Sequence, residues 1–187
     1  MEAFLLSTSI VALAEMGDKT QLLSLILAAR FKRPWPILWG ILIATLANHA
    51  LAGALGASVT AWLGPQWLRW ILAGSFIAMA AWMLVPDTLD EDDAPAAPRH
   101  GVLVTTVLAF FLAEMGDKTQ VATVMLAAQY QAWFAVVAGT TLGMMLANAP
   151  VVWFGDRVMR RVPVRAVHVV SALIFLALGL AILFGGD

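Results

Sequence analysis

Leu13-Ala14-Glu15-Met16-Gly17-Asp18-Lys19-Thr20-Gln21 decides the reading of this chain, because it returns letter for letter as Leu112-Ala113-Glu114-Met115-Gly116-Asp117-Lys118-Thr119-Gln120, 99 residues later. Both copies lie inside long apolar segments of the kind that cross a bilayer. Each places two carboxyl groups, an ammonium and polar neighbours where one ionised group costs roughly 2.5–3.5 kcal/mol on insertion scales. No packing requirement explains why two distant segments need the same polar string. A paired ion site explains it directly.

The composition supports that setting. Of the 187 residues, 61% are hydrophobic and only 12% charged, far more apolar than a soluble domain. The chain reads as an all-α integral membrane protein. It has no cysteine, which removes disulfides, thiolate metal sites and cysteine nucleophiles. A net charge of −1 gives no electrostatic footprint for nucleic acid. The first apolar segment does not read as a signal peptide: it lacks a basic start, carries Glu2 and runs into charged residues.

Six spans are expected, at about 3–29, 36–55, 70–85, 102–128, 132–154 and 167–184. The first would be roughly 40 Å long at ~1.5 Å per residue, more than a ~30 Å hydrocarbon core needs. It must tilt or break, and Gly17 is the natural break point. Trp35 and Trp39 suit the membrane interface. Trp62, Gly64, Pro65 and Trp67 read as a loop, and Gly74 and Ser75 suit close helix packing. Residues 86–100, acidic and then rich in Pro and Ala, read as a solvated linker; nothing there fixes the geometry a tight cation site needs.

The repeat extends beyond the motif. Ala28-Ala29 matches Ala127-Ala128, Gly40 matches Gly139, and Phe76 matches Phe175. Leu46-Ala47-Asn48 matches Leu146-Ala147-Asn148 after a one-residue slip. The chain divides into a three-helix repeat (1–85), the linker (86–100) and a second three-helix repeat (101–187). Three is odd, so the second repeat enters the membrane from the other side. Arg30, Lys32, Arg33, Arg99, Arg157, Arg160, Arg161 and Arg165 all fall on one side, and Arg69 on the other. The positive-inside rule puts the linker in the cytoplasm and both termini outside. Two inverted three-helix repeats with a midplane site are a common transporter architecture.

Glu15 and Asp18, three apart, are expected on one helix face, as are Glu114 and Asp117. If the two motif helices cross, four carboxylates converge, with further oxygens from Thr20, Gln21, Thr119, Gln120, Asn48 and Asn148. An all-oxygen set suits Ca²⁺, Mn²⁺ or Mg²⁺ better than Cu⁺ or structural Zn²⁺. So many carboxylates cannot all stay ionised in an empty site, so some hold protons, and a divalent cation would displace them. Lys19 and Lys118 are each four residues after a motif glutamate; they act as counter-ions there, snorkel, or pair with the other half's aspartate. Four carboxylates and two ammoniums sum to minus two, the charge that balances one divalent ion. Asn48 and Asn148 fit an interhelix hydrogen bond equally well. His49 has no counterpart in the second half, where Ala149 stands; it fits a proton shuttle or a buried histidine bonded to a backbone carbonyl. A thioether from Met16 or Met115 near the ion would favour Mn²⁺ over Ca²⁺.

Glu-x-Gly-Asp-Lys-Thr, twice, once per three-helix half and with an acidic linker between, resembles the Gdt1 family of eukaryotic Golgi transporters, chloroplast relatives and bacterial manganese exporters. The resemblance covers essentially the whole chain. It implies a cation/proton exchanger for Mn²⁺ or Ca²⁺, with Glu15, Asp18, Glu114 and Asp117 as ion-binding carboxylates and Lys19, Thr20, Lys118 and Thr119 in support. The short chain resembles bacterial members, which implies proton-driven export of Mn²⁺ across an inner membrane. A passive divalent-cation channel and an exporter of a small organic cation are the alternatives. A membrane metallo-hydrolase is disfavoured, since no His-Glu-x-x-His helix is present and the motif is symmetric, so no enzyme is expected. Beyond the transported ion and the coupled proton no cofactor is expected, and the oligomeric state is open.

Overall fold

A computed structural model describes residues 1–85, 101–155, 157 and 163–185. The linker at 86–100 lies outside the described residues, as do Arg99, Arg160 and Arg161. The described residues form eight α-helices: α1 (Glu2–Ala14), α2 (Lys19–Phe31), α3 (Pro34–Trp62), α4 (Pro65–Met83), α5 (Val102–Glu114), α6 (Lys118–Tyr130), α7 (Trp133–Phe154) and α8 (Val164–Phe184). Three of them, α3, α7 and α8, are each long and apolar enough to cross a bilayer.

Each motif-bearing segment, expected to be one long span, is two helices of 13 residues. The chain breaks where Gly17 and Gly116 take left-handed backbone angles, φ 87° and φ 75°, which only glycine adopts without cost. Asp18 and Asp117 then stand extended at the N-caps of α2 and α6, a position that favours aspartate. A glutamine secures each break. The Gly17 amide donates to Gln21 Oε1 at 2.8 Å, and the Gly116 amide donates to Gln120 Oε1 at 2.7 Å. Both second half-helices also end alike, on left-handed residues at Lys32 and Gln131.

The loop expected around Trp62–Trp67 is shorter than the sequence suggested. Trp62 completes α3, and α4 begins at Pro65, leaving Leu63 and Gly64 between them. Proline at a first helical position has no amide to leave unpaired, so it starts the helix early.

The halves interleave. α1 packs chiefly on α7, and α5 packs on α3, so each motif helix lies against the other half. Small residues permit both crossings. A Cβ at Gly40 would come within 2.7 Å of Thr106 Cγ2, and one at Gly139 within 3.0 Å of Ser7 Cβ. Ser7 and Thr106 are 99 residues apart, as are the two glycines, so one close contact occurs twice. α4 runs against α8, where fully buried Phe76 and Phe175 stack with centroids 6.1 Å apart. Trp35, Trp39, Trp62, Trp67, Trp70 and Trp153 are all exposed, as an interfacial belt requires.

Candidate cation site

The helix breaks put their carboxylates in one place. Glu15 caps the end of α1, Asp18 starts α2 and Asp117 starts α6. One carboxylate oxygen from each lies within 4.8 Å of the others, and all three side chains are buried. Two oxygens on opposite sides of one ion are separated by about 4.0–5.2 Å for Mg²⁺ or Ca²⁺, so this spacing fits a single hard cation. Thr20 donates its hydroxyl to Glu15 Oε2, while Glu15 Oε1 makes no hydrogen bond among the described residues. Lys19 Nζ stands 3.8 Å from Asp117 Oδ2.

This convergence does not come from a shared helix face. Helix α1 ends before Glu15 and α2 begins after Asp18, so the expected three-residue face does not exist. The bend at Gly17 brings the two carboxylates together instead. Lys19 likewise approaches the opposite half's aspartate and not Glu15 of its own segment, because the break interrupts the four-residue spacing.

Glu114 is held separately from the three. His49 Nε2 is 2.8 Å from Glu114 Oε1, and Thr45 Oγ1 and Asn48 Nδ2 donate to Oε2 at 3.3 Å each. All four side chains are fully buried. Thr45, Asn48 and His49 lie three and four residues apart on α3, one polar stripe aimed at one carboxylate. His49 thus binds a carboxylate, not a backbone carbonyl. Thr45 carries no mark in the repeat and was missed; the stripe it shares with Asn48 and His49 was its only signal.

The remaining motif residues brace the arrangement. With Oε1 taken by its glycine, Gln21 donates Nε2 to the Ala147 carbonyl at 3.0 Å, and Gln120 donates Nε2 to Asn48 Oδ1 at 3.5 Å. Each glutamine therefore ties its break to the other half. Asn48 also donates to the Phe111 carbonyl, and Asn148 accepts from Ser24 at 2.6 Å and donates to the Met144 carbonyl. Lys118 is buried, with Nζ donating to the Val85 carbonyl at 2.7 Å. Thr119 is buried, whereas Met115 is exposed and Met16 half-buried.

Paired buried carboxylates at breaks between apolar helices are what a cation carrier needs, and the family comparison agrees. The sequence model described as divalent cation/proton antiporter GDT1 matches residues 3–91 and 102–187. The chain belongs to the GDT1 family. A Vibrio cholerae protein named "Putative manganese exporter" is 49% identical over 187 residues, covering 98% of this chain and 92% of its own. A GDT1-like protein of Synechocystis is 29% identical over 94% of this chain and 93% of its own. The divalent cation/proton antiporter GDT1 of Saccharomyces cerevisiae is 22% identical over 98% of this chain and 84% of its own. No solved structure matches. Family and helices together make this GDT1 chain a multi-pass membrane transporter of the divalent cation/proton antiporter class.

Proposed function

We propose that this GDT1 chain exports Mn²⁺ from the bacterial cytoplasm in exchange for protons, with Ca²⁺ as a second substrate. The observation that carries the reading is the group of three buried carboxylates, drawn from both halves and spaced for one ion. Glu15, Asp18 and Asp117 hold the cation, and Glu114, secured by the α3 stripe, is the fourth carboxyl of the exchange set. Cation and protons occupy the same carboxylates in turn, so entry of one expels the other. Thr20 and Thr119 support the ligands, and Gln21, Gln120, Asn48 and Asn148 fix the two breaks. Lys19 and Lys118 supply the internal positive charge.

In this reading the chain makes six crossings as two inverted repeats, 1–85 and 101–187, with two crossings each built from half-helices. The matched crossings at Gly40 and Gly139 support it, as does the stacking of Phe76 on Phe175. Residues 99 apart that touch each other belong on the axis relating two halves. Both termini are then periplasmic, and the basic loops and the acidic linker cytoplasmic. Mn²⁺ as the preferred ion is supported by the name of the Vibrio cholerae relative.

The test is flux in proteoliposomes with Mn²⁺ and pH indicators. The reading requires uphill Mn²⁺ movement under an imposed pH gradient, with protons moving the other way. Downhill flux indifferent to pH would replace it with a channel. Competition by lysine or arginine would replace it with an organic-cation carrier.

A further inference from the structure

The two motifs are identical in sequence and unlike in surroundings. Lys118 is 2% exposed and donates to the Val85 carbonyl, two residues past the end of α4. Lys19 is 24% exposed and leans towards Asp117. Gly17 is covered by the first residue of α8, where an added Cβ would come within 2.9 Å of Val164 Cγ2. Among the described residues nothing comes within 4 Å of a Cβ at Gly116, and neighbouring Met115 is 54% exposed. At the repeat's offset of 99, Val164 corresponds to Pro65, the first residue of α4, and Val85 to Phe184, the last residue of α8.

We infer that Lys19 and Lys118 exchange duties as the carrier turns over. In the arrangement seen, Lys118 latches the end of α4 and Lys19 serves as counter-ion to Asp117. In the exchanged arrangement, Lys19 latches the end of α8 at Phe184 and Lys118 turns to Asp18, while α4 closes over Gly116 and α8 leaves Gly17. This rests on the two-fold carrier reading proposed above.

Identical nonapeptides make the exchange chemically even. Both motifs carry the same ammonium, carboxylates and glycine hinge, so each lysine can take up the other's duty, as a carrier that visits both arrangements must arrange. The two duties differ in strength. An ammonium donating to carbonyls at a helix's C-terminal end is charge-assisted and favoured by the helix dipole. The Lys19–Asp117 contact, at 3.8 Å, is longer than a hydrogen bond, and its lysine is 24% exposed and so partly screened by solvent, although Asp117 itself is buried. The latch therefore decides which arrangement prevails. It also links cation entry to movement: for Asp117 to take the ion, Lys19 must withdraw, and the end of α8 is the place that receives it.

The experiment uses two spin-label pairs on the full chain, which has no native cysteine. One is Met16→Cys with Ala166→Cys, and the other is Met115→Cys with Trp67→Cys, its counterpart at the same offset. Lys118→Gln should lengthen the first distance and shorten the second, raising the exchanged population about tenfold or more, the worth of a charge-assisted hydrogen bond. Lys19→Gln should shift both the opposite way, and Lys118→Arg should leave both near wild type. Shifts in the same direction for the two glutamine variants, or no shift in a folded protein, would overturn the exchange. Mn²⁺ flux by the chain with both lysines intact keeps the transport reading separate: opposite shifts in the variants without pH-driven flux in that chain would uphold the exchange and overturn antiport.

Discussion

At the residue scale, the site depends on which carboxylates an ion can reach. Glu15→Gln removes one charge and one ligand oxygen from the group of three while keeping its shape, so Mn²⁺ flux should fall at least tenfold, with folding in detergent unchanged. Normal flux in both Glu15→Gln and Glu114→Gln would sink the carboxylate mechanism. His49→Ala leaves the buried Glu114 carboxyl without its 2.8 Å partner. Removing one side of a buried pair costs about 1–3 kcal/mol, which a detergent melting curve should register. His49→Gln, which can still donate, should recover part of it. The motif carboxylates were legible because a nine-residue identity has no structural excuse in a membrane. The split between Glu114 and the other three was not. Glu114 is engaged by Thr45, Asn48 and a histidine present in one half only, and no symmetry of sequence could announce what that histidine faces.

At the scale of elements, the helix break is the unit that makes the site, and a glutamine side chain closes it. Gln21→Leu would orphan the Gly17 amide and the donor bond to Ala147. Gln120→Leu would orphan the Gly116 amide and the bond to Asn48. Each should cost about 1–3 kcal/mol, and the two losses should be alike, in contrast to the unequal effects expected of the lysines. The excess length of the first span pointed to a break at Gly17, and a break is present there. The glutamines, read as oxygen donors, turn out to spend that oxygen on the glycine amide, which becomes visible only once the break has a geometry. Arg69 illustrates the same limit. Its Nε donates to the Ile182 carbonyl at 3.0 Å and its Nη2 to the Leu183 carbonyl, closing the end of α8. A residue that stood out only as a charge on the wrong side has a local use, satisfying carbonyls that a helix end leaves unpaired.

At the scale of the whole molecule, charge balance argues for the coupling. The group of three carboxylates and Lys19 carries a net charge of minus two when fully ionised, and all three carboxylates are buried. Buried charge without compensation is expensive, so in the proposed exchange protons neutralise the empty site and a divalent ion replaces them. Binding then releases protons, and each proton released makes the apparent Mn²⁺ affinity rise tenfold per pH unit. If the site exchanges two, the dissociation constant should fall about a hundredfold between neighbouring pH units across the range where the site titrates. Calorimetry in buffers of different ionisation enthalpy would count those protons directly. A pH-independent affinity with no proton release would mean that the carboxylates stay ionised when empty. The minus-two charge would then be balanced from elsewhere, and metal and proton would no longer compete for one set of oxygens, which is the step on which uphill export depends.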